Sequence, residues 1–127
     1  MPPILSYVLA ILIGVIIGLA VNMGIILAGT ELLQLPEGID PMNASDWDFK
    51  YFLIPLLAHS MGTLSGAYSA ALIAVNHKKT FALVIGSWFL IGGITMVFII
   101  PAPVWFICLD LTAAYIPMGL LGWSLTK

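Results

Sequence analysis

The sequence predicts an all-α membrane protein, a bundle of four transmembrane helices with both termini in the cytoplasm. Of its 127 residues, 61% are apolar and only 8% are charged, whereas about 25% of the residues of a soluble domain carry a charge. Three long stretches, 1–30, 51–76 and 80–109, contain no lysine, arginine, aspartate or glutamate. Because the apolar residues extend from end to end, we expect a single transmembrane domain covering residues 1–127.

The three uncharged stretches predict four helices. A helix needs about 20 apolar residues to cross the hydrocarbon of a bilayer, so each of the first two stretches holds one helix. The third is too long for one helix, and Pro101 and Pro103 within it cannot donate backbone hydrogen bonds, which predicts a tight turn between two helices. The expected helices cover about 4–28, 50–76, 80–100 and 103–125.

The orientation follows from the lysines, because positively charged residues are retained on the cytoplasmic side of short loops. Lys78, Lys79 and Lys127 flank the second, third and fourth predicted helices on one side. The loop 31–50, on the other side, is strongly acidic. We therefore expect both termini in the cytoplasm and this loop outside.

Small residues recur every four positions on two helices and predict close helix contacts, since residues at that spacing share one face. On the first helix the stripe consists of Ala10, Gly14, Gly18 and Asn22. On the second it consists of Ala58, Gly62, Gly66, Ala70 and Ala74. Packing within one bundle and packing between two copies in a homodimer are both compatible with these stripes.

Polar side chains inside the predicted helices are the candidates for a functional site. Asn22, His59 and Asp110 fall at a similar depth, in the outer half of the membrane, when each helix is counted at about 1.5 Å per residue. Such residues usually face a bundle interior and pair with one another. We expect Asp110 to accept a hydrogen bond from His59, with Asn22 and Thr63 completing the cluster and Glu31 closing it from the outer interface.

This cluster allows several interpretations. It can be a structural clasp that sets helix register, the site of a dimeric small-molecule or proton-coupled transporter, or part of a site for a lipid or quinone. Haem is a further alternative, with His59 as one ligand and Met61 or Cys108 as the second. No motif for catalysis or for a metal site occurs, so neither an enzyme nor a resident cofactor is expected. The absence of arginine argues against nucleic acid as a partner.

Two segments carry a resemblance to a known family. The stretches 58–67 (AHSMGTLSGA) and 115–123 (YIPMGLLGW) resemble segments of small bacterial four-span integral membrane proteins to which no activity has been assigned. The resemblance runs along most of the chain and implies a protein of the bacterial cytoplasmic membrane, without implying any chemistry. The first expectation for function is therefore a structural or accessory membrane component that acts through helix contacts, with itself or within a larger complex.

Overall fold

The computed structural model describes residues 2–127, and its regular structure is entirely helical, with no β-strand among those residues. In chain order the α-helices are α1 (Pro3–Leu32), α2 (Leu53–Ile73), α3 (Lys78–Val97), α4 (Val104–Ala113) and α5 (Ile116–Ser124). Two short 3-10 helices, Ala44–Asp46 and Phe49–Phe52, lie between α1 and α2. Three elements are long and apolar enough to cross a membrane: α1, α3, and α4 with α5 taken as one element.

Helix boundaries differ from the expected ones at several ends. The first helix continues past residue 28 to Leu32, since nothing in that segment breaks the backbone pattern and the N–H of Leu33 still donates to Gly29 O at 2.8 Å. The second helix is shorter than 50–76, because Phe49–Phe52 forms a 3-10 helix and the backbone becomes extended at Ala74. The third begins at Lys78 and ends at Val97.

The fourth helix is broken, whereas the sequence predicts one continuous helix over 103–125. α4 ends at Ala113 and α5 begins at Ile116, with Pro117 in its first turn. Proline has no backbone N–H, and its ring clashes with the carbonyl four residues earlier, which here is that of Ala113. Ala114 and Tyr115 therefore form a break between two helices, and α5 restarts with the N–H of Gly119 donating to Tyr115 O at 2.8 Å.

α2 is the central helix and packs against α1, α3 and α5. Its contact with α1 uses both small-residue stripes within one chain. A Cβ added to Gly66 would lie 2.6 Å from Gly14 O, and one added to Gly62 would lie 2.9 Å from Gly18 O. The two backbones thus approach too closely for any side chain at these positions, and the stripes form an intramolecular seam.

The chain has two chemically distinct ends. Lys79 and Lys127 both lie over the ring of Trp123, at 5.0 and 3.9 Å from its centroid, and Lys78 Nζ donates to Ala71 O at the end of α2 at 2.7 Å. We call this the lysine end. At the opposite, acidic end, the N–H of Ala44 donates to Pro101 O at 2.8 Å, which joins the loop after α1 to the turn before α4.

Candidate functional site

A hydrogen-bonded pair connects α2 to α4. Nδ1 of His59 lies 2.8 Å from Oδ1 of Asp110, although the two residues are 51 positions apart. The Asp110 side chain is only 7% exposed, whereas that of His59 is 26% exposed. A buried carboxylate requires partners, and one of them is this imidazole.

Tyr115 is the second partner of the carboxylate, and the sequence did not single it out for this role. Its hydroxyl donates to Oδ2 of Asp110 at 3.2 Å, and its ring stacks on that of His59 with centroids 5.8 Å apart. In an unbroken helix, residues five apart point in different directions, because each residue turns the helix by about 100°. The break before Pro117 brings Tyr115 back to the carboxylate. Pro117 was therefore the feature of the sequence from which this contact could have been predicted.

Gly93 on α3 makes room for the tyrosine. A Cβ at this position would lie 2.6 Å from the Tyr115 hydroxyl oxygen and 2.8 Å from its ring. At the neighbouring Gly92, an added Cβ would meet nothing within 4 Å. The His59–Asp110–Tyr115 cluster, which we call the polar cluster, is thus supported by a third helix.

The other expected members of the site occupy different positions. Thr63 is fully buried, but its hydroxyl donates to the backbone carbonyl of His59 at 2.7 Å rather than to either ionisable side chain. Asn22 lines the same cavity as His59, and its amide has no hydrogen-bond partner within residues 2–127. Glu31 is exposed at the end of α1 and does not line that cavity. The structure therefore joins His59 to Asp110, leaves Asn22 near them without a bond, and does not bring in Glu31.

A cavity of about 660 Å³ lies beside the polar cluster. This volume is in the range of small-molecule sites, about 300–1,000 Å³. Towards the lysine end the cavity reaches Gly62, Thr63 and Phe89, and towards the acidic end it reaches Leu35 and Trp47 of the loop. Its wall is mainly apolar, with His59, Asp110 and Asn22 among its few polar groups.

The arrangement does not bring the alternative haem ligands together. Met61 and Cys108 are both exposed, and neither lines the cavity that His59 borders. Within residues 2–127 no group of three or more His, Cys, Asp or Glu side chains is placed to hold a metal ion. What these residues offer is one imidazole, oriented by a carboxylate, at the wall of an apolar cavity.

Comparisons with protein-family models, with curated proteins and with solved structures found no match to this chain.

Proposed function

We propose that this chain is a four-span protein of the bacterial cytoplasmic membrane that binds a lipophilic small molecule in the cavity beside the polar cluster. The observation that carries the proposal is the position of His59, which is bonded to Asp110 through one ring nitrogen and borders an apolar cavity of about 660 Å³. Binding sites for small molecules combine a mainly apolar wall with a few oriented polar groups.

The fourth span in this proposal is α2. With 21 residues it is about 30 Å long, as long as a bilayer's hydrocarbon core is thick. It is less apolar than the other three because it carries His59, Thr63 and several serines. Its small residues are buried against neighbouring helices, so lipid need not solvate that face.

Both termini are proposed to lie in the cytoplasm. The support is the common location of Lys78, Lys79 and Lys127 at one end of the bundle, together with the acidic loop at the other. Retention of lysines on the cytoplasmic side gives this orientation. The bilayer is then the main partner, and a homodimer or larger complex stays a prediction.

Two adjacent isoleucines of α1 provide a matched test of ligand binding. Ile25 and Ile26 are both half-buried, but only Ile26 lines the cavity. We expect Ile26→Trp to fill the cavity and Ile25→Trp to leave it open. Native mass spectrometry of protein extracted from membranes in mild detergent should show a bound lipophilic molecule in the Ile25→Trp variant and in the unmodified protein, and none in Ile26→Trp. Identical bound species in all three proteins, or none in any, would refute the proposal.

A proton-coupled carrier is the second candidate, favoured by the direct contact between a carboxylate and an imidazole at a cavity wall. In a low-dielectric layer, such a pair can pass a proton from one of its two groups to the other. Proton flux into vesicles containing the protein should then disappear in Asp110→Asn and persist in Asp46→Asn, a change in the exposed loop. If neither binding nor flux is found, the cluster serves only to fix helix register, as expected of a structural or accessory component.

A further inference from the structure

We propose that the occupant of the cavity is an uncharged lipophilic molecule with a hydroxyl head group, and that this hydroxyl donates a hydrogen bond to Nε2 of His59. The inference rests on the proposed ligand-binding function and specifies the chemical class of the ligand. It follows from the hydrogen-bond roles within the polar cluster, from the charges along the cavity and from the depth at which the cluster lies.

In the neutral form of His59, the hydrogen bond to Asp110 makes Nε2 an acceptor. An ionised Asp110 can only accept, so its two partners both donate: Tyr115 through its hydroxyl to Oδ2, and His59 through Nδ1 to Oδ1. A neutral imidazole that carries its hydrogen on Nδ1 has a lone pair on Nε2. The carboxylate thus sets the tautomer, and the tautomer determines which ligands suit the site.

The Nε2 atom is available to a ligand. No side chain or backbone group of residues 2–127 is hydrogen-bonded to it. The nearby hydroxyls of Thr63 and Tyr115 are already donating elsewhere, to His59 O at 2.7 Å and to Asp110 at 3.2 Å. Asn22 lines the same cavity with an unpaired amide, whose N–H groups can donate to the oxygen of the same ligand hydroxyl.

The charges along the cavity exclude ionised head groups. No lysine lines it, and Asp110 is its only acidic residue. Beside a neutral His59, a carboxylate or phosphate head group would therefore meet a negative charge without a counter-cation in a medium of low dielectric constant. A cationic head group would find both oxygens of Asp110 already engaged by His59 and Tyr115.

The depth of the cluster also argues against a phospholipid. A phospholipid keeps its head group at the membrane surface and its acyl chains near the midplane. Here His59, Asp110 and Asn22 lie within the helices, and no charged side chain lines the cavity between them and its acidic end. A single small hydroxyl is compatible with this arrangement, because its desolvation is offset by the hydrogen bonds to His59 and Asn22.

Four probes with the same alkyl tail test the head-group chemistry: tetradecan-1-ol, its methyl ether, tetradecanoic acid and tetradecyltrimethylammonium. Binding to the protein in nanodiscs is measured by native mass spectrometry. We expect the alcohol to bind about tenfold more tightly than the ether, since the ether lacks the donor. The acid and the ammonium probe should bind more weakly than the alcohol. A lipophilic phenol with a tail of equal length then distinguishes an aromatic from an aliphatic source of the hydroxyl.

Two conservative variants assign the preference to Nε2. In His59→Asn the amide nitrogen takes the position of Nδ1 and keeps the bond to Asp110, but nothing replaces Nε2. This variant should therefore bind the alcohol and the ether about equally tightly. In His59→Gln the amide extends to the position of Nε2, and the preference should be partly retained. His77→Asn, in the turn between α2 and α3, is the control and should leave it unchanged.

The outcomes separate the two proposals. Equal binding of alcohol and ether to the unmodified protein overturns the hydroxyl inference while leaving the cavity as a lipophilic site. Tightest binding by the acid or the ammonium probe overturns it as well, and identifies the charge that the site prefers. Binding of none of the probes, at any concentration that the nanodiscs tolerate, contradicts the proposed function itself.

Discussion

At the scale of single residues, a few polar side chains join segments that are far apart in the chain. Asp110 accepts hydrogen bonds from His59 on α2 and from Tyr115 in the break before α5. Ser6 likewise joins distant segments, at the lysine end, where it connects α1 to the end of α2. Its hydroxyl donates to Ile73 O at 2.9 Å and accepts from the N–H of Val75 at 3.0 Å. The end of a helix leaves backbone groups without partners, and each such group is costly when it is buried. Ser6 therefore closes the end of α2 together with Lys78.

Ser6→Ala should lower the free energy of unfolding by about 1–3 kcal/mol, because it removes one partner from each of two backbone groups. Ser6 is fully buried, so water cannot easily replace the hydroxyl. The measurement is reversible unfolding in mixed micelles with increasing SDS. Ser124→Ala is the control: that hydroxyl is exposed and donates only to Leu121 O in its own helix, at 2.7 Å. Equal losses in the two variants would contradict the role given to Ser6.

The pair Gly92 and Gly93 tests the placement of Tyr115. Gly93→Ala should displace the tyrosine ring from Asp110 and cost about 1–3 kcal/mol, as expected for overpacking of a filled space. Gly92→Ala should cost nothing, because its Cβ would meet no atom within 4 Å. Unfolding in SDS compares the stabilities of the two variants. The placement is wrong if both alanines are tolerated equally.

At the scale of helices, the close seam between α1 and α2 is the main packing device of the bundle. Lipid chains are as apolar as leucine, so two helices gain little from burying apolar side chains and associate through tight packing instead. Gly14, Gly18, Gly62 and Gly66 allow the two backbones to touch. The same seam brings Asn22 next to Gly62, and so positions the α1 wall of the cavity.

Gly66→Ala should destabilise the seam by about 1–3 kcal/mol, since the new methyl group would lie 2.6 Å from a backbone oxygen that cannot rotate away. Gly24→Ala on α1 is the matched control, with no atom within 4 Å of the added methyl. It should be neutral, or stabilising by up to about 1 kcal/mol through higher helix propensity. Unfolding in SDS gives both values, and a neutral Gly66→Ala would mean that the seam is looser than described.

At the scale of the whole molecule, the two ends of the bundle differ in charge, and this difference leads to a test of topology. In a Cys108→Ser background, Ser45→Cys lies in the acidic loop and Asn76→Cys lies in the turn at the lysine end, and both positions are exposed. A membrane-impermeant maleimide applied to spheroplasts should label the first and should reach the second only after permeabilisation. The opposite labelling pattern would invert the orientation, and labelling of both in intact cells would remove α2 as a span.

The sequence by itself determined the helical class, the approximate helix positions and the turn at Pro101 and Pro103. These features depend on local composition and on proline chemistry, so they can be read from short windows. It also led us to His59 and Asp110, since polar groups are conspicuous in an apolar helix. The lysines at 78, 79 and 127 likewise marked one end of the molecule.

Only the tertiary structure decided which groups meet. The role of Tyr115 depends on a helix break, that of Ser6 on where α2 ends, and the cavity on how α1, α2, α3, α4 and the loop 33–52 come together around it. Thr63 and Glu31 were expected in the cluster, yet one bonds to its own helix and the other faces outwards. The physical reason is that depth along a helix follows from counting residues, whereas direction around it and distance between helices depend on packing across the whole bundle.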